Sequence, residues 1–161
     1  MDEVLTVREV DDADAADLIA LVGEAYAEYP GCVLDLDDLD ADLRAPDTAI
    51  SRAGGRWWVI EDQGLVIGSI AAGARDDAGA VELKRLYVAA THRRRGLAAR
   101  LVDEVERHAR QVGARRVVLW SDSRFVPAHH FYAGRGYVET GARRELHDLS
   151  NTTELEFVRE L

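Results

Sequence analysis

The sequence predicts one α/β domain built on a mixed β-sheet. Three observations carry that prediction. The chain has 161 residues, 47% of them hydrophobic, which suits one domain with a sizeable core. Its hydrophobic spacing runs β-α-α-β-β-β-α-β-α-β-β from end to end. A strand-like run, Val81 to Val88, passes into an amphipathic helical run, Leu97 to Val112, through the junction Thr91-His92-Arg93-Arg94-Arg95-Gly96-Leu97-Ala98-Ala99.

Each element has its own signal. Val4 to Val10 alternates as a strand, and Asp11-Asp12-Ala13-Asp14 is a helix-start cluster. Leu18, Leu21, Val22 and Ala25 then follow at helical spacing. Pro30-Gly31 breaks that helix. Leu34, Leu36, Leu39 and Leu43 predict a short second helix, with the run from Asp35 to Asp42 as its acidic outer face. After the Gly54-Gly55 turn, Trp57 to Glu61 and Leu65 to Ala72 read as a hairpin closed by Asp62-Gln63-Gly64. Arg75-Asp76-Asp77-Ala78-Gly79 turns into Val81 to Val88. Leu97, Leu101, Val105, Ala109 and Val112 fall on one helical face, with Gly113 as C-cap. Arg116 to Trp120 is a short buried-type strand, and Pro127 to Ala133 a short helix started by its proline and ended by Gly134 and Gly136. Tyr137-Val138 begins a strand and Thr153 to Val158 alternates as the last one.

Composition narrows the function classes. Net charge is −10 and the pI about 4.9, which argues against a nucleic-acid binder. The charge is uneven: residues 1–50 hold 15 acids and 2 bases, residues 84–116 hold 10 bases and 3 acids. One segment therefore suits an anion, while the acidic half is mainly a solvated surface able to attract a cation. No apolar run reaches membrane-spanning length, and Met1-Asp2-Glu3 lacks the basic start of a signal peptide. Cys32 is the only cysteine, so no internal disulfide forms and a cytoplasmic location is expected. Lys84 is the sole lysine, and the arginine-rich composition suits a GC-rich bacterial genome.

The basic junction is built to hold phosphate. A helix start leaves N–H groups free and its dipole favours an anion. Gly96 removes the Cβ that would keep a phosphate from the main chain. The N–H groups from Arg94 to Ala99 can converge as a nest, and Arg93, Arg94 and Arg95 add charge.

Two motifs resemble the GNAT superfamily of acyl-CoA-dependent N-acyltransferases. Arg93-Arg94-Arg95-Gly96-Leu97-Ala98 matches that family's Arg/Gln-x-x-Gly-x-Gly/Ala loop, preceded by the strand Glu82 to Val88. Ala128-His129-His130-Phe131-Tyr132-Ala133-Gly134-Arg135-Gly136-Tyr137 is similar to its A-x-x-x-Y-x-x-x-G-[FY] segment. With the element order, the resemblance covers nearly the whole chain. It implies a single GNAT-like domain over residues 1–161, with a mixed, mostly antiparallel sheet of six to seven strands flanked by about four helices.

The resemblance further implies acetyl-CoA as the acyl donor. Arg93, Arg94, Arg95, Gly96, Leu97, Ala98 and Ala99 would hold its pyrophosphate. The main chain of Leu86 and Val88 would pair with the pantetheine arm where the fourth strand diverges from the fifth. Tyr132 would be the general acid for the departing thiolate, a phenol with an ordinary pKa of roughly 10. Glu82, fourteen positions before Gly96, takes the place of the catalytic glutamate of some lysine acetyltransferases and is the candidate base. Strand alternation puts Glu82, Lys84, Leu86 and Val88 on one face and Leu83, Arg85 and Tyr87 on the other. A water chain, or one of His129 and His130, is the alternative base. Many members carry an asparagine seven residues before the tyrosine; here Phe125 stands there, so that contact does not transfer.

The acceptor is expected to be a small-molecule amine or a peptide amine. It would meet Tyr26, Tyr29, Cys32 and the acidic run, with Arg143 to Asp148 as a further contact. No metal, nucleic acid or membrane is expected, and the chain would act as a monomer or homodimer. A non-catalytic acyl-CoA-binding module is the alternative of a different class.

Overall fold

In the computed structural model, which describes residues 4–161, the elements follow the expected order with one substitution. They are β1 (Val7–Glu9), α1 (Ala15–Ala27), α2 (Pro46–Arg52), β2 (Arg56–Asp62), β3 (Leu65–Ala72) and β4 (Ala80–Val88). After them come α3 (Leu97–Gln111), β5 (Arg116–Asp122), α4 (Val126–Gly134), β6 (Val138–Glu145) and β7 (Thr153–Glu160). The acidic Met1-Asp2-Glu3 start lies outside the described residues.

Among the described residues, seven strands form one sheet in the order β1-β2-β3-β4-β5-β7-β6, every pair antiparallel except β4–β5. This is the mixed, mostly antiparallel sheet with four helices that the resemblance implies. Period-2 alternation on β2 sends Trp58 and Ile60 to one face and Trp57 and Val59 to the other. The first face packs on Leu101, Val102, Val105 and Ala109 of α3, the second on Leu18, Leu21 and Val22 of α1. Gln63 and Gly64, at φ 49° and 81°, make the two-residue turn that hairpins of this twist require.

The aspartate cluster starts the first helix as expected, through a short 3-10 turn at Asp12–Asp14. Asp11 accepts from the Ala13 N–H at 2.7 Å, and Asp14 accepts from the Asp11 N–H at 2.8 Å. Arg8 of β1 grips Asp14 with both terminal nitrogens, at 2.9 and 2.8 Å, so strand and helix are tied at this corner.

The expected second helix over Leu34 to Leu43 is not formed. That segment is turns ending in a 3-10 turn, Ala41–Arg44, and the second helix is α2, begun by Pro46 in its first turn. The reason is local competition. The Asp40 carboxylate accepts from the Asp35 N–H at 2.9 Å, and the Asp40 N–H donates to the Asp35 carbonyl at 2.8 Å. Short acidic side chains that bond the backbone close turns instead of extending helices.

Candidate active site

The site begins where two neighbouring strands part. β4 and β5 pair only at Ala80–Arg116, Val81–Val117 and Glu82–Val118. Among the described residues, the β5-facing edge of β4 has no strand partner beyond Glu82, while β5 runs on to Asp122 paired only with β7. The opening leads into a cleft of about 440 Å³. Its walls include Glu82 and Arg85 from β4, Trp120 from β5 and Tyr132 from α4. Tyr26 of α1 and residues of the loops before α2 and between β6 and β7 complete it.

The alternation expected for β4 does not hold. Opposite the single residue Ile70, β4 inserts both Arg85 and Leu86, a bulge, with Arg85 in the left-handed region at φ 56°. The extra residue shifts the pleat, so Leu86 and Val88 pack with Val81 and Leu83 on the α3 face, and Tyr87 joins the α1 face. Glu82 and Lys84 therefore do not share a face with Leu86 and Val88. No glycine or asparagine marks this bulge. Arg85 is held there by distant partners: it donates to Asp40 at 2.8 Å, to Asp42 through Nε at 3.1 Å, and to the Leu39 carbonyl at 3.2 Å.

The loop before α3 turns sharply into the helix. Arg94 and Gly96 both sit at positive φ, 62° and 74°, and Gly96 is the N-cap of α3. Arg100 is the first residue whose N–H reaches back to a helical carbonyl, Gly96 at 3.1 Å, which leaves the N–H groups of Leu97, Ala98 and Ala99 as helix-start donors. A Cβ on Gly96 would meet no protein atom within 4 Å, so the space above it is open. Arg94 and Arg95 are exposed. Arg93 is turned toward α1, donating to both carboxylate oxygens of Glu28, at 3.1 and 2.6 Å, and to the Val88 carbonyl at 3.3 Å. Just before the loop, His92 Nε2 lies 2.7 Å from Asp62 and anchors it to the β2–β3 hairpin. Gly96→Ala is expected to weaken coenzyme A binding about tenfold while costing only about 1 kcal/mol of stability. Paired calorimetric titration and thermal melts check it; equal affinity would remove the loop from phosphate binding.

Tyr132 is buried and lines the cleft. Burial, reinforced by the nearby Tyr87, pushes its phenol well above 10. Glu82 lies at the origin of the splay, half-buried, with Lys84 Nζ 3.1 Å from its carboxylate. Neither His129 nor His130 lines the cleft. His130 is exposed. His129 Nε2 lies 3.0 Å from the Asp122 carbonyl and 3.1 Å from Ser121 Oγ, binding α4 to the end of β5, and burial lowers its pKa. Cys32 is at the cleft wall, its Sγ 3.9 Å from Asp122, and burial raises its thiol pKa, which leaves it a poor nucleophile. Phe125, at the position of the family asparagine, is an aromatic wall: its ring is 4.6 Å from Tyr29 and 6.4 Å from Tyr26.

Sequence reasoning missed Trp120, Arg85 and Ser150. Trp120 lines the cleft with the Arg144 guanidinium 4.3 Å over its ring, and Arg144 is in turn ion-paired to Glu154 at 2.7 Å. Ser150 Oγ accepts from the Val33 N–H at 2.7 Å and donates to the Val33 carbonyl at 3.2 Å, joining two loops that bound the cleft. Trp120 ends a run that reads as ordinary buried strand, and Ser150 lies in a polar loop, so neither carried a local signal.

A solved acetyltransferase of the GNAT family from Staphylococcus aureus Mu50 shares this topology. Its TM-score is 0.81 at 20% identity, covering 98% of this chain and 99% of that one, so the fold is of the GNAT class. A Salmonella typhimurium acetyltransferase solved with its cofactor acetyl-CoA matches with a TM-score of 0.75 at 22% identity, over 99% of this chain and 95% of that one. The chain belongs to the acetyltransferase (GNAT) family, whose model matches residues 19–137. N-acetyltransferase 8F1 of Rattus norvegicus is 32% identical over 127 residues, which take in 76% of this chain and 55% of that protein. The chain spans about half the length of the curated relatives it matches. Among the described residues no helix is long and apolar enough to cross a membrane.

Proposed function

We propose that residues 1–161 form one acetyltransferase domain that moves an acetyl group from acetyl-CoA to a primary amine on a small cationic molecule, by direct attack. The observation that carries this reading is that Glu82 and Tyr132 line one cleft at the point where β4 and β5 part. The residues present fit the donor: a nest with open space above Gly96 for phosphate, and an unpartnered β4 edge for an extended amide-bearing arm. Bound acetyl-CoA supplies an activated acyl carbon with a thiolate leaving group. The chain does the rest. Glu82 takes the proton of the acceptor ammonium, directly or through a water, so that its nitrogen lone pair is free to form the C–N bond. Tyr132 holds a proton for the sulfur as the C–S bond breaks. The cleft walls align the reactants.

A small acceptor is favoured by the Val33–Ser150 clasp, which ties together the two loops that bound the cleft. A cation is favoured by the lining carboxylates Asp35, Asp40, Asp42 and Asp148. A cytoplasmic bacterial setting belongs to the same reading and rests on composition. Thiol release from acetyl-CoA across a panel of amines and lysine peptides tests the proposal. Coenzyme A binding with no release for any acceptor would leave a binding module instead. Glu82→Gln should lower kcat/KM at neutral pH by about 100-fold, because a carboxamide takes no proton. An unchanged rate moves the base elsewhere.

A further inference from the structure

We infer that the acceptor is amphipathic, a primary amine whose non-reacting part is an alkyl or aryl group of several carbons. This rests on the acetyltransferase reading and concerns the rim of the same cleft. Val33, Leu39 and Leu149 are 47%, 44% and 65% exposed, and all three border the cleft. One exposed aliphatic side chain needs no explanation, but three converging on one opening make a patch that marks a binding surface. Val33 and Leu149 come from segments more than a hundred positions apart, joined by the Ser150–Val33 hydrogen bonds. Leu146 and the Phe125 ring extend the apolar surface along the wall.

Carboxylates adjoin this patch: Leu39 directly precedes Asp40 and Leu149 follows Asp148, and both aspartates line the cleft. Asp40 and Asp42 share the single guanidinium of Arg85, which leaves one carboxylate charge in excess there. Glu82, by contrast, is offset by Lys84. An ammonium drawn to the carboxylates leaves the remainder of the molecule against Val33, Leu39 and Leu149. A second ammonium set directly against those three aliphatic side chains would lose water to them. A hydrocarbon tail instead gains by leaving water there.

The experiment compares thiol-release rates with acetyl-CoA for n-propylamine, n-butylamine, n-hexylamine, 2-phenylethylamine, 1,4-diaminobutane and a lysine-containing peptide. We expect kcat/KM to rise about two- to fourfold per methylene from propylamine to hexylamine, somewhat under full burial of each group. Diaminobutane should fall below butylamine. The Leu39→Ser/Leu149→Ser double variant should cut the hexylamine-to-propylamine ratio about tenfold, chiefly through KM. Leu65→Ser, an exposed leucine outside the cleft, should leave the ratio unchanged. A flat chain-length series, a preference for the diamine or the peptide, or an unaltered ratio in the double variant overturns the inference while leaving an acetyltransferase. Release with none of these amines, in a protein that acetyl-CoA still protects against thermal unfolding, overturns the acetyltransferase reading as well.

Discussion

Tyr132→Phe is expected to lower kcat about 100-fold, the scale of losing a positioned general acid, with affinity for coenzyme A kept within about twofold. The substitution removes one oxygen and keeps the ring. That ring packs edge-on against Phe131 at 5.6 Å and Tyr137 at 5.8 Å, and tilted on Phe157 at 6.1 Å. No hydrogen bond contributes to the pKa of the hydroxyl, which is set by burial and by Tyr87, so stability should change by less than about 1 kcal/mol. The sign of the pH effect follows from the direction of that shift. A general acid must carry its proton. Burial raises the phenol pKa, so the protonated form persists as pH rises, and the native protein should show no falling limb from this group below about pH 10. Steady-state rates across pH and calorimetric titration of coenzyme A check both parts. Equal turnover in the variant would take the acid role from Tyr132.

Arg85→Met should destabilise the protein by about 3 kcal/mol, with a fall in Tm on the order of 10 °C. Arg85 is almost fully enclosed, its side chain 12% exposed, and Asp40 beside it is 6% exposed. Removing the guanidinium leaves the Asp40 charge buried with only the Tyr26 hydroxyl, 3.4 Å away, as a remaining side-chain donor. It also leaves a side chain in the left-handed region with nothing to hold it there. Arg85→Lys should recover only part of the loss, because an ammonium cannot span Asp40, Asp42 and the Leu39 carbonyl together. Adding Asp40→Asn to Arg85→Met should cost less than the sum of the two single changes, with a coupling above about 1 kcal/mol. Thermal denaturation of the four proteins measures the cycle. A loss under about 0.5 kcal/mol for Arg85→Met would show that the pair does not hold the bulge.

These two residues divide what could be read in advance from what could not. The place of Tyr132 in α4 is legible because its segment, a proline-started helix followed by glycines, resembles a family pattern contained within ten residues. The same holds for Gly96 between three arginines and an amphipathic helix, for the aspartates that start α1, and for the Gln63-Gly64 hairpin. The spacing of the leucines from 34 to 43 suits a helix, but the aspartates between them bond the backbone and close turns. The faces of β4 depart from alternation for a different reason. Alternation assumes an unbroken pleat, and the break at Arg85 is imposed by carboxylates more than forty positions earlier.

The sequence by itself determined the class of fold, the helix-start loop suited to phosphate and the tyrosine placed after β5. Hydrophobic period, turn chemistry and cap chemistry act within a few residues, and they survive in the sequence as motifs. Only the tertiary structure decided the shape of the cleft: the bulge at Arg85, the Val33–Ser150 clasp, the Trp120 wall and the apolar rim. Each depends on ion pairs, hydrogen bonds or contacts between segments far apart in the chain. Such interactions join residues far apart in the sequence, and they leave no periodic trace in it.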